Sequence, residues 1–382
     1  MTLKVARRGQ VPPFIVMDVM TAAAERAQSH GDVLHLEVGQ PSTSAPRGVV
    51  EAAQLALESE VLGYTLALGL PELRRRLSQH YADHYGQPVS ADRIAVTAGS
   101  SGGFLLAFLS AFDVGDRVAL GAPGYPAYRN ILSALGIEVV EVPTGAETRF
   151  QPSPDHLDRL DRPVDGLIVA SPSNPTGTML DRDAFADLAD YCGRHGIRLI
   201  SDEIYHGISY GMAETTALSL TDDAIIINSF SKYYSMTGWR LGWMVLPEEL
   251  VRPVECLAQN FFISPSALSQ RAAMAAFDCG DELDANVARY AANRRLLLDG
   301  LPKAGFDRLA QSDGAFYLYA DIGRLTNDSV AFCQRMLKET GIAATPGPDF
   351  DPARGAHTMR FSFSGATETM AEASDRLRRW LT

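Results

Sequence analysis

Short apolar runs recur along residues 93–247 of this 382-residue chain. Seven of the runs are rich in β-branched residues and have the length of strands, and they begin at residues 93, 117, 138, 166, 198, 224 and 241. Most of them are separated by helical patterns, such as that of residues 182–195. Apolar strands that alternate with helices predict an α/β fold with a mostly parallel seven-stranded sheet between helices.

The pattern changes after about residue 280. Apolar residues at helical spacing cover residues 282–301, and strand-like stretches then follow around Phe316 and Arg360. This change predicts a second, smaller α+β domain, as is expected for a chain longer than a single core usually supports. We therefore expect a large domain over residues 46–280 and a small domain over residues 281–382.

Composition and charge exclude some classes of function. The hydrophobic fraction of 46% and the charged fraction of 21% are those of an ordinary globular protein. A formal net charge of -12 argues against binding to nucleic acid or to an anionic membrane, because such partners need a basic surface. No apolar segment precedes the prolines at 12 and 13, and no run reaches membrane-spanning length. These features favour a cytoplasmic protein.

The cysteines and histidines predict no metal site. The four cysteines lack the paired spacing of a metal site or a disulfide framework. His80 and His84 are four residues apart, but no third ligand is near them in the sequence. We interpret both histidines as solvated residues of a helix.

The strongest chemical signal lies in residues 228–243. Lys232 stands there among serines and aromatic residues, eight positions before Arg240. An amine held neutral can bond to an aldehyde, and a nearby guanidinium can bind a phosphate through two oxygens. A solvated lysine is the usual alternative, but the aromatic neighbours Phe230 and Tyr233 argue against it.

Two further segments are candidates for ligand contact. The glycine- and serine-rich residues 98–103 join a predicted strand to a helix predicted over residues 104–112, so free N–H groups of a helix N-terminus are available to a phosphate. Asp202 ends another predicted strand and is expected at the sheet edge where open α/β folds bind ligands. The alternatives are an ordinary glycine-rich turn and an aspartate that caps a loop.

These segments, together with residues 171–178, 201–205 and 359–363, resemble the class I and II aminotransferases, which are pyridoxal-phosphate (PLP) enzymes of fold type I related to aspartate aminotransferase. The match runs in order from Gly39 to Arg360. The resemblance implies that residues 1–45 form an N-terminal arm and part of the small domain. It also implies a homodimer with shared active sites, in which Tyr64 reaches the phosphate bound by the neighbouring subunit.

The resemblance assigns roles to individual residues. Lys232 is the catalytic residue, which bonds to PLP and moves a proton between the substrate and the cofactor. Gly39, Asn174 and Arg360 bind the carboxylate of the substrate, although an arginine at a strand edge facing water is the alternative for Arg360. The remaining cofactor contacts are Ser101, Gly102, Ser229 and Arg240 at the phosphate, Tyr125 on the ring face, Asp202 at the ring nitrogen, and Asn174 and Tyr205 at the phenolic oxygen. Tyr128 is interpreted as a core tyrosine.

The implied activity is transfer of an amino group from an L-amino acid to a 2-oxo acid by a ping-pong mechanism. A PLP-dependent carbon–sulfur lyase of the same fold is the alternative, because the same carbanion leads to both products. A PLP-sensing regulator is not expected, because the residues before Gly39 are too few for a DNA-binding domain. Ser101 stands where dicarboxylate-specific relatives have a lysine, so we expect neutral or aromatic donors. Asp351 replaces a glycine that usually follows Phe350.

Overall fold

The computed structural model describes residues 3–381. Within these residues the chain forms twelve α-helices: α1 (Ile15–His30), α2 (Arg47–Ser59), α3 (Pro71–Tyr85), α4 (Gly99–Ala111), α5 (Pro126–Leu135), α6 (Pro154–Asp158), α7 (Arg182–His195), α8 (Glu248–Phe261), α9 (Ala267–Ala276), α10 (Gly280–Gly300), α11 (Ser329–Thr340) and α12 (Thr367–Leu381).

The described part of the chain also contains thirteen strands: β1 (Leu34–His35), β2 (Ile94–Thr97), β3 (Arg117–Ala122), β4 (Glu138–Pro143), β5 (Gly166–Ala170), β6 (Arg198–Asp202), β7 (Ile225–Ser229), β8 (Gly242–Val245), β9 (Arg308–Leu309), β10 (Tyr317–Asp321), β11 (Ile342–Ala343), β12 (Thr345–Pro346) and β13 (Thr358–Ser362).

The largest sheet has the strand order β2-β8-β7-β6-β5-β3-β4. Strand β8 is antiparallel to its neighbours β2 and β7, and all other neighbouring strands are parallel. Each of the seven runs predicted from the sequence forms one strand of this sheet. The prediction of an α/β fold with a mostly parallel seven-stranded sheet is therefore confirmed.

Burial on both faces explains why the central strands are almost continuously apolar. Ile225, Ile226 and Ile227 of β7 are all fully buried. Side chains alternate between the faces of a strand, so Ile226 packs with Trp243 on one face, whereas its two neighbours pack with Phe104 on the other. Burial of each such side chain contributes about 1.5–3 kcal/mol to the hydrophobic stabilisation of the sheet.

Local signals fix the ends of several helices. The Asp181 side chain accepts a hydrogen bond of 2.8 Å from Ala184 N and so caps α7, which ends before Gly196 in the left-handed region. The helix predicted over residues 104–112 is α4, which begins five residues earlier, at Gly99. Its first turn consists of glycine and serine residues, whose low helix propensity conceals the start of the helix in the sequence.

Two smaller sheets lie in the remainder of the chain. An antiparallel sheet has the strand order β12-β13-β10-β9, and a two-stranded parallel sheet pairs β1 with β11. Strands β10 and β13 correspond to the stretches predicted around Phe316 and Arg360, and α10 corresponds to the helix predicted over residues 282–301. Through the pairing of Leu34 with Ile342, the N-terminal segment joins the C-terminal part of the chain.

No helix within residues 3–381 has the length and apolarity needed to cross a membrane. The same residues contain no group of three or more His, Cys, Asp or Glu side chains arranged to hold a metal ion. The interpretation of His80 as solvated is wrong. Its half-buried ring stacks 5.4 Å from that of His84 and packs against Phe277, and burial lowers the pKa of His80 to about 4.

Candidate active site

A cavity of about 360 Å³ lies at the carboxyl ends of β5, β6 and β7 and reaches β13 of the antiparallel sheet. Nine of the site residues predicted from the sequence line it: Gly39, Ser101, Tyr125, Asn174, Asp202, Tyr205, Lys232, Arg240 and Arg360. Gly102, Ser229 and Tyr64 do not line the cavity. The fold therefore brings together side chains that are up to about 320 residues apart in the sequence.

Lys232 projects into this cavity from the segment that joins β7 to β8. Its Nζ donates a hydrogen bond of 2.7 Å to the backbone oxygen of Gly39. Burial, together with the positive charge of Arg360, lowers the pKa of Lys232 to about 8. About a tenth of the amine is then neutral at pH 7, far more than for an ordinary lysine, and only the neutral amine is a nucleophile.

Asp202 lies at the end of β6 with 3% of its surface exposed. Its Oδ1 accepts a hydrogen bond of 3.1 Å from Ile204 N, and its Oδ2 accepts one from the Tyr128 hydroxyl. Burial raises the pKa of Asp202 to about 6, and the hydrogen bond from Tyr128 opposes this rise. Tyr128 is buried in the core, as interpreted from the sequence, and its hydroxyl in addition donates a hydrogen bond to Asp202.

A pair of tyrosines stands beside Lys232. The hydroxyls of Tyr205 and Tyr317 are 2.6 Å apart, and the Lys232 ammonium lies 5.6 Å from the centre of the Tyr205 ring. A side chain at Gly39 would overlap the Tyr317 hydroxyl, so only glycine fits there. Tyr317 was not predicted, because an aromatic residue in an apolar strand looks like a core residue in the sequence.

Arg360 is 4% exposed in β13, which lies between β12 and β10. The alternative of an arginine at a strand edge facing water is therefore excluded. Its guanidinium donates hydrogen bonds to Asn174 Oδ1 at 2.8 Å and to the Glu37 backbone oxygen at 2.6 Å. The rings of Tyr317 and Phe350 lie 4.4 and 4.7 Å from its Cζ.

No ion pair within the described residues balances the charge of Arg360. Among residues 3–381 no acidic side chain forms an ion pair with Arg360, and its Nε is buried without a hydrogen-bond partner. Burial of a cation without a counter-ion is costly, and such groups are usually paired. The geometry therefore suits an anionic ligand that enters the cavity and completes the pairing.

The N-terminus of α4 and Arg240 form a second site for an anion. Gly99 has a φ of +69°, and a side chain there would come within 2.6 Å of Arg240 Nη2. Glycine therefore allows the guanidinium to approach the start of the helix, where free N–H groups already attract anions. The Ser229 hydroxyl donates a hydrogen bond of 2.8 Å to the Ser231 hydroxyl. Ser231 lines the cavity, whereas Ser229 does not.

Parts of this second anion site are open to the surface. Ser101 and Arg240 are exposed, although both line the cavity. Tyr64 is 84% exposed and has no contact with the cavity of its own chain. Gly102 is buried in the first turn of α4. This end of the cavity is therefore less enclosed than the end at Arg360.

The N-terminal segment provides an apolar wall, formed by Phe14, Val16, Met17 and Met20. The Phe14 ring lies 6.1 Å from that of Tyr125, which was predicted to stack on the cofactor. Asp351 does not disturb the neighbouring turn, because its Oδ1 accepts hydrogen bonds from the backbone N–H groups of Ala353 and Arg354. A carboxylate thus closes the turn where glycine is usual.

The family model for "Aminotransferase class I and II" matches residues 31–377. The chain belongs to the class I and II aminotransferase family. It is 54% identical over 385 residues to a valine–pyruvate aminotransferase of Mycobacterium tuberculosis, an alignment that covers 100% of this chain and 99% of its relative. The prediction of an aminotransferase is confirmed.

Solved structures of this family have the same fold. A crystal structure of an aminotransferase from Mycobacterium tuberculosis superimposes with a TM-score of 0.98 at 53% identity, covering 100% of this chain and 99% of the other. The Thermus thermophilus aspartate aminotransferase with maleate superimposes with a TM-score of 0.92 at 29% identity, covering 99% and 100%. This aminotransferase therefore has fold type I.

Proposed function

We propose that this aminotransferase transfers the amino group of a neutral L-amino acid to a 2-oxo acid, with PLP as cofactor and Lys232 as catalytic residue. One observation carries the proposal. A lysine of lowered pKa, Lys232, shares a cavity with Arg360, a buried cation that forms no ion pair with any acidic side chain of residues 3–381. The first group suits reaction with an aldehyde, and the second suits a substrate carboxylate.

The residues around Lys232 fit PLP. The Arg240 guanidinium and the free N–H groups at the start of α4 lie close together at an end of the cavity that suits a phosphate. Asp202 is mostly ionised at neutral pH and would keep a pyridine nitrogen protonated. Tyr125 would stack on the ring, and Asn174 and Tyr205 would bind its phenolic oxygen. When bound, PLP supplies the aldehyde that accepts the amino group and the ring that withdraws electrons from the substrate Cα.

Arg360 would orient the substrate. Its planar guanidinium can bind both oxygens of an α-carboxylate, and the stacked rings of Tyr317 and Phe350 hold it in one plane. Fixing the carboxylate would restrict how the donor lies in the cavity that it shares with Lys232. Lys232 would then remove the proton from Cα as a general base.

Residues in the cavity favour a neutral donor. Its cations are Lys232, Arg240 and Arg360, and each has a role that a distal carboxylate of the donor would disturb. Ser101 contributes a hydroxyl but no charge. A carboxylate buried against the apolar wall without a partner would be penalised by a few kcal/mol. The similarity to a valine–pyruvate aminotransferase also supports a neutral donor and suggests pyruvate as an acceptor.

The active unit is proposed to be a homodimer that works by a ping-pong mechanism. Tyr64 is exposed and lies outside the cavity of its own chain, which suits a residue that completes the site of a neighbouring subunit. A single carboxylate clamp, Arg360, serves both the amino-acid donor and the 2-oxo-acid acceptor. The two substrates would therefore bind in turn rather than together.

A panel of donors tests this function. PLP-loaded enzyme would be mixed with valine, alanine, methionine, phenylalanine or aspartate, and the change in cofactor absorbance would give kcat/KM for each donor. We expect kcat/KM to be higher for the neutral donors than for aspartate. Initial rates with pyruvate as acceptor should give parallel double-reciprocal lines. Faster reaction with aspartate would refute the proposed donor class. Release of ammonia and pyruvate from a cysteine conjugate, without amino transfer, would favour the carbon–sulfur lyase instead.

A further inference from the structure

Asp349 is a buried carboxylate, 2% exposed, between the cavity and the first helix. Its Oδ1 accepts a hydrogen bond of 2.9 Å from Ile15 N, and its Oδ2 lies 3.4 Å from Val16 N. Ile15 and Val16 begin α1, whose own N-cap residue, Phe14, provides no side-chain hydrogen bond. Asp349 therefore caps a helix that begins 334 residues earlier in the chain.

The start of α1 has few other attachments. Ala23 is the one buried residue of α1 within the described chain, so little apolar burial holds the helix in place. Before the helix, Pro12 O accepts a hydrogen bond of 3.3 Å from Asn130. The hydrogen bonds to Asp349 are thus among the contacts that fix the first turn.

The same short segment contacts the carboxylate clamp. Phe350 follows Asp349 directly, and its ring lies 4.7 Å from the guanidinium carbon of Arg360. The backbone oxygen of Asp349 also accepts a hydrogen bond of 2.7 Å from Arg129. Two adjacent residues, 349 and 350, therefore fix the start of α1 and Arg360 relative to each other.

We propose that Asp349 is a positioning residue that sets the preference of the enzyme among neutral donors, an inference that rests on the proposed function. Arg360 holds the α-carboxylate, so the distance from Arg360 to the apolar wall determines how large a side chain fits. Asp349 fixes that distance by holding Phe14, Val16 and Met17 over the cavity. A branched donor such as valine touches this wall more than alanine does.

The test compares Asp349→Asn and Asp349→Ala with Asp351→Asn as a matched control. Asp351 is a buried carboxylate two residues away that caps its own turn and does not line the cavity. In PLP-loaded enzyme, loss of a charge-assisted hydrogen bond should lower kcat/KM for valine about tenfold, mainly through KM. The value of kcat/KM for alanine should change by less than about threefold, because the methyl group of alanine makes little contact with the wall.

Hydrogen–deuterium exchange provides a readout that is independent of activity. Backbone amides of residues 15–20 should exchange faster in Asp349→Ala, which removes the acceptors, and less so in Asp349→Asn, whose amide oxygen can still accept a hydrogen bond. They should exchange at the wild-type rate in Asp351→Asn. An unchanged ratio of valine to alanine in active Asp349 variants would overturn the inference and leave the proposed function intact. If the wild-type enzyme used no neutral donor, the proposed function would fall, and with it the role of Asp349 in donor choice. An unchanged exchange rate at residues 15–20 in Asp349→Ala would by itself refute the anchoring role of Asp349.

Discussion

The Tyr128 hydroxyl donates a hydrogen bond to Oδ2 of Asp202, which connects the first half of α5 to the end of β6. Burial alone would favour a neutral Asp202, and the hydrogen bond favours the charged form instead. Tyr128 therefore helps to keep Asp202 ionised at neutral pH. An ionised carboxylate is what a protonated pyridine nitrogen requires.

Substitutions at these two residues should have graded effects. Asp202→Asn removes the negative charge, and we expect the single-turnover rate with valine to fall about a thousandfold. Tyr128→Phe removes one hydrogen bond and raises the pKa of Asp202, so the rate should fall about tenfold, with the larger loss at low pH. Rapid mixing followed by absorbance would measure both rates. Wild-type rates in Asp202→Asn would mean that the aspartate is only structural.

Lys232→Ala should abolish turnover while the fold is retained, because a half-buried side chain at the cavity wall is removed without loss of a core contact. Borohydride reduction of wild-type enzyme with PLP should attach the cofactor to a single peptide, which contains Lys232. Lys232→Arg provides the control, since it keeps the charge but supplies no nucleophile at neutral pH. Mass spectrometry would locate the label, and a label on another lysine would disprove the role of Lys232.

The pKa of Lys232 predicts how the enzyme takes up its cofactor. Burial and the charge of Arg360 lower this pKa to about 8, and only the neutral amine reacts with an aldehyde. The rate at which apoenzyme combines with PLP should therefore rise with pH, be half-maximal near pH 8 and level off above about pH 9. In Arg360→Gln the midpoint should move to higher pH, because a nearby positive charge is lost. A rate independent of pH between 6 and 9 would contradict this prediction.

Complementation between inactive variants tests the shared active site. Enzyme with Tyr64→Ala and enzyme with Lys232→Ala should each have little activity. When the two are unfolded and refolded together, mixed dimers would contain one site with both residues intact, and activity should recover to about a quarter of the wild-type value. No recovery, with dimers present by light scattering, would place Tyr64 outside the site of the partner.

Much of the fold was predictable because its signals are local. Most strands of the large sheet are buried apolar runs, β4 at its edge being only partly buried, and α7 has Asp181 and Gly196 at its ends. The two-residue strands β1, β9, β11 and β12 were not predicted, since a pairing of that length leaves no periodicity in the sequence. Partners elsewhere in the chain determine those pairings.

The residues of the candidate site also differ in whether the sequence alone reveals them. Lys232, Asp202 and Arg360 stand out because a charged residue beside an apolar strand is unusual. Tyr128 and Tyr317 do not stand out in the sequence, because a buried tyrosine hydroxyl can be recognised as a functional group only when its hydrogen-bond partner is known. Asp349 was also missed as an anchor, because its contacts with α1 span most of the chain.

The segment that carries Lys232 begins and ends on neighbouring strands, β7 and β8. Phe230 N donates a hydrogen bond of 3.1 Å to Leu241 O, which joins the two ends of the loop. Met236 N donates one of 3.0 Å to Phe230 O, which lies within the loop. Backbone hydrogen bonds at the ends of these strands thus help to determine the shape of the loop. Uptake of PLP would order little additional chain, and calorimetry should accordingly give a small heat-capacity change, unlike binding coupled to folding.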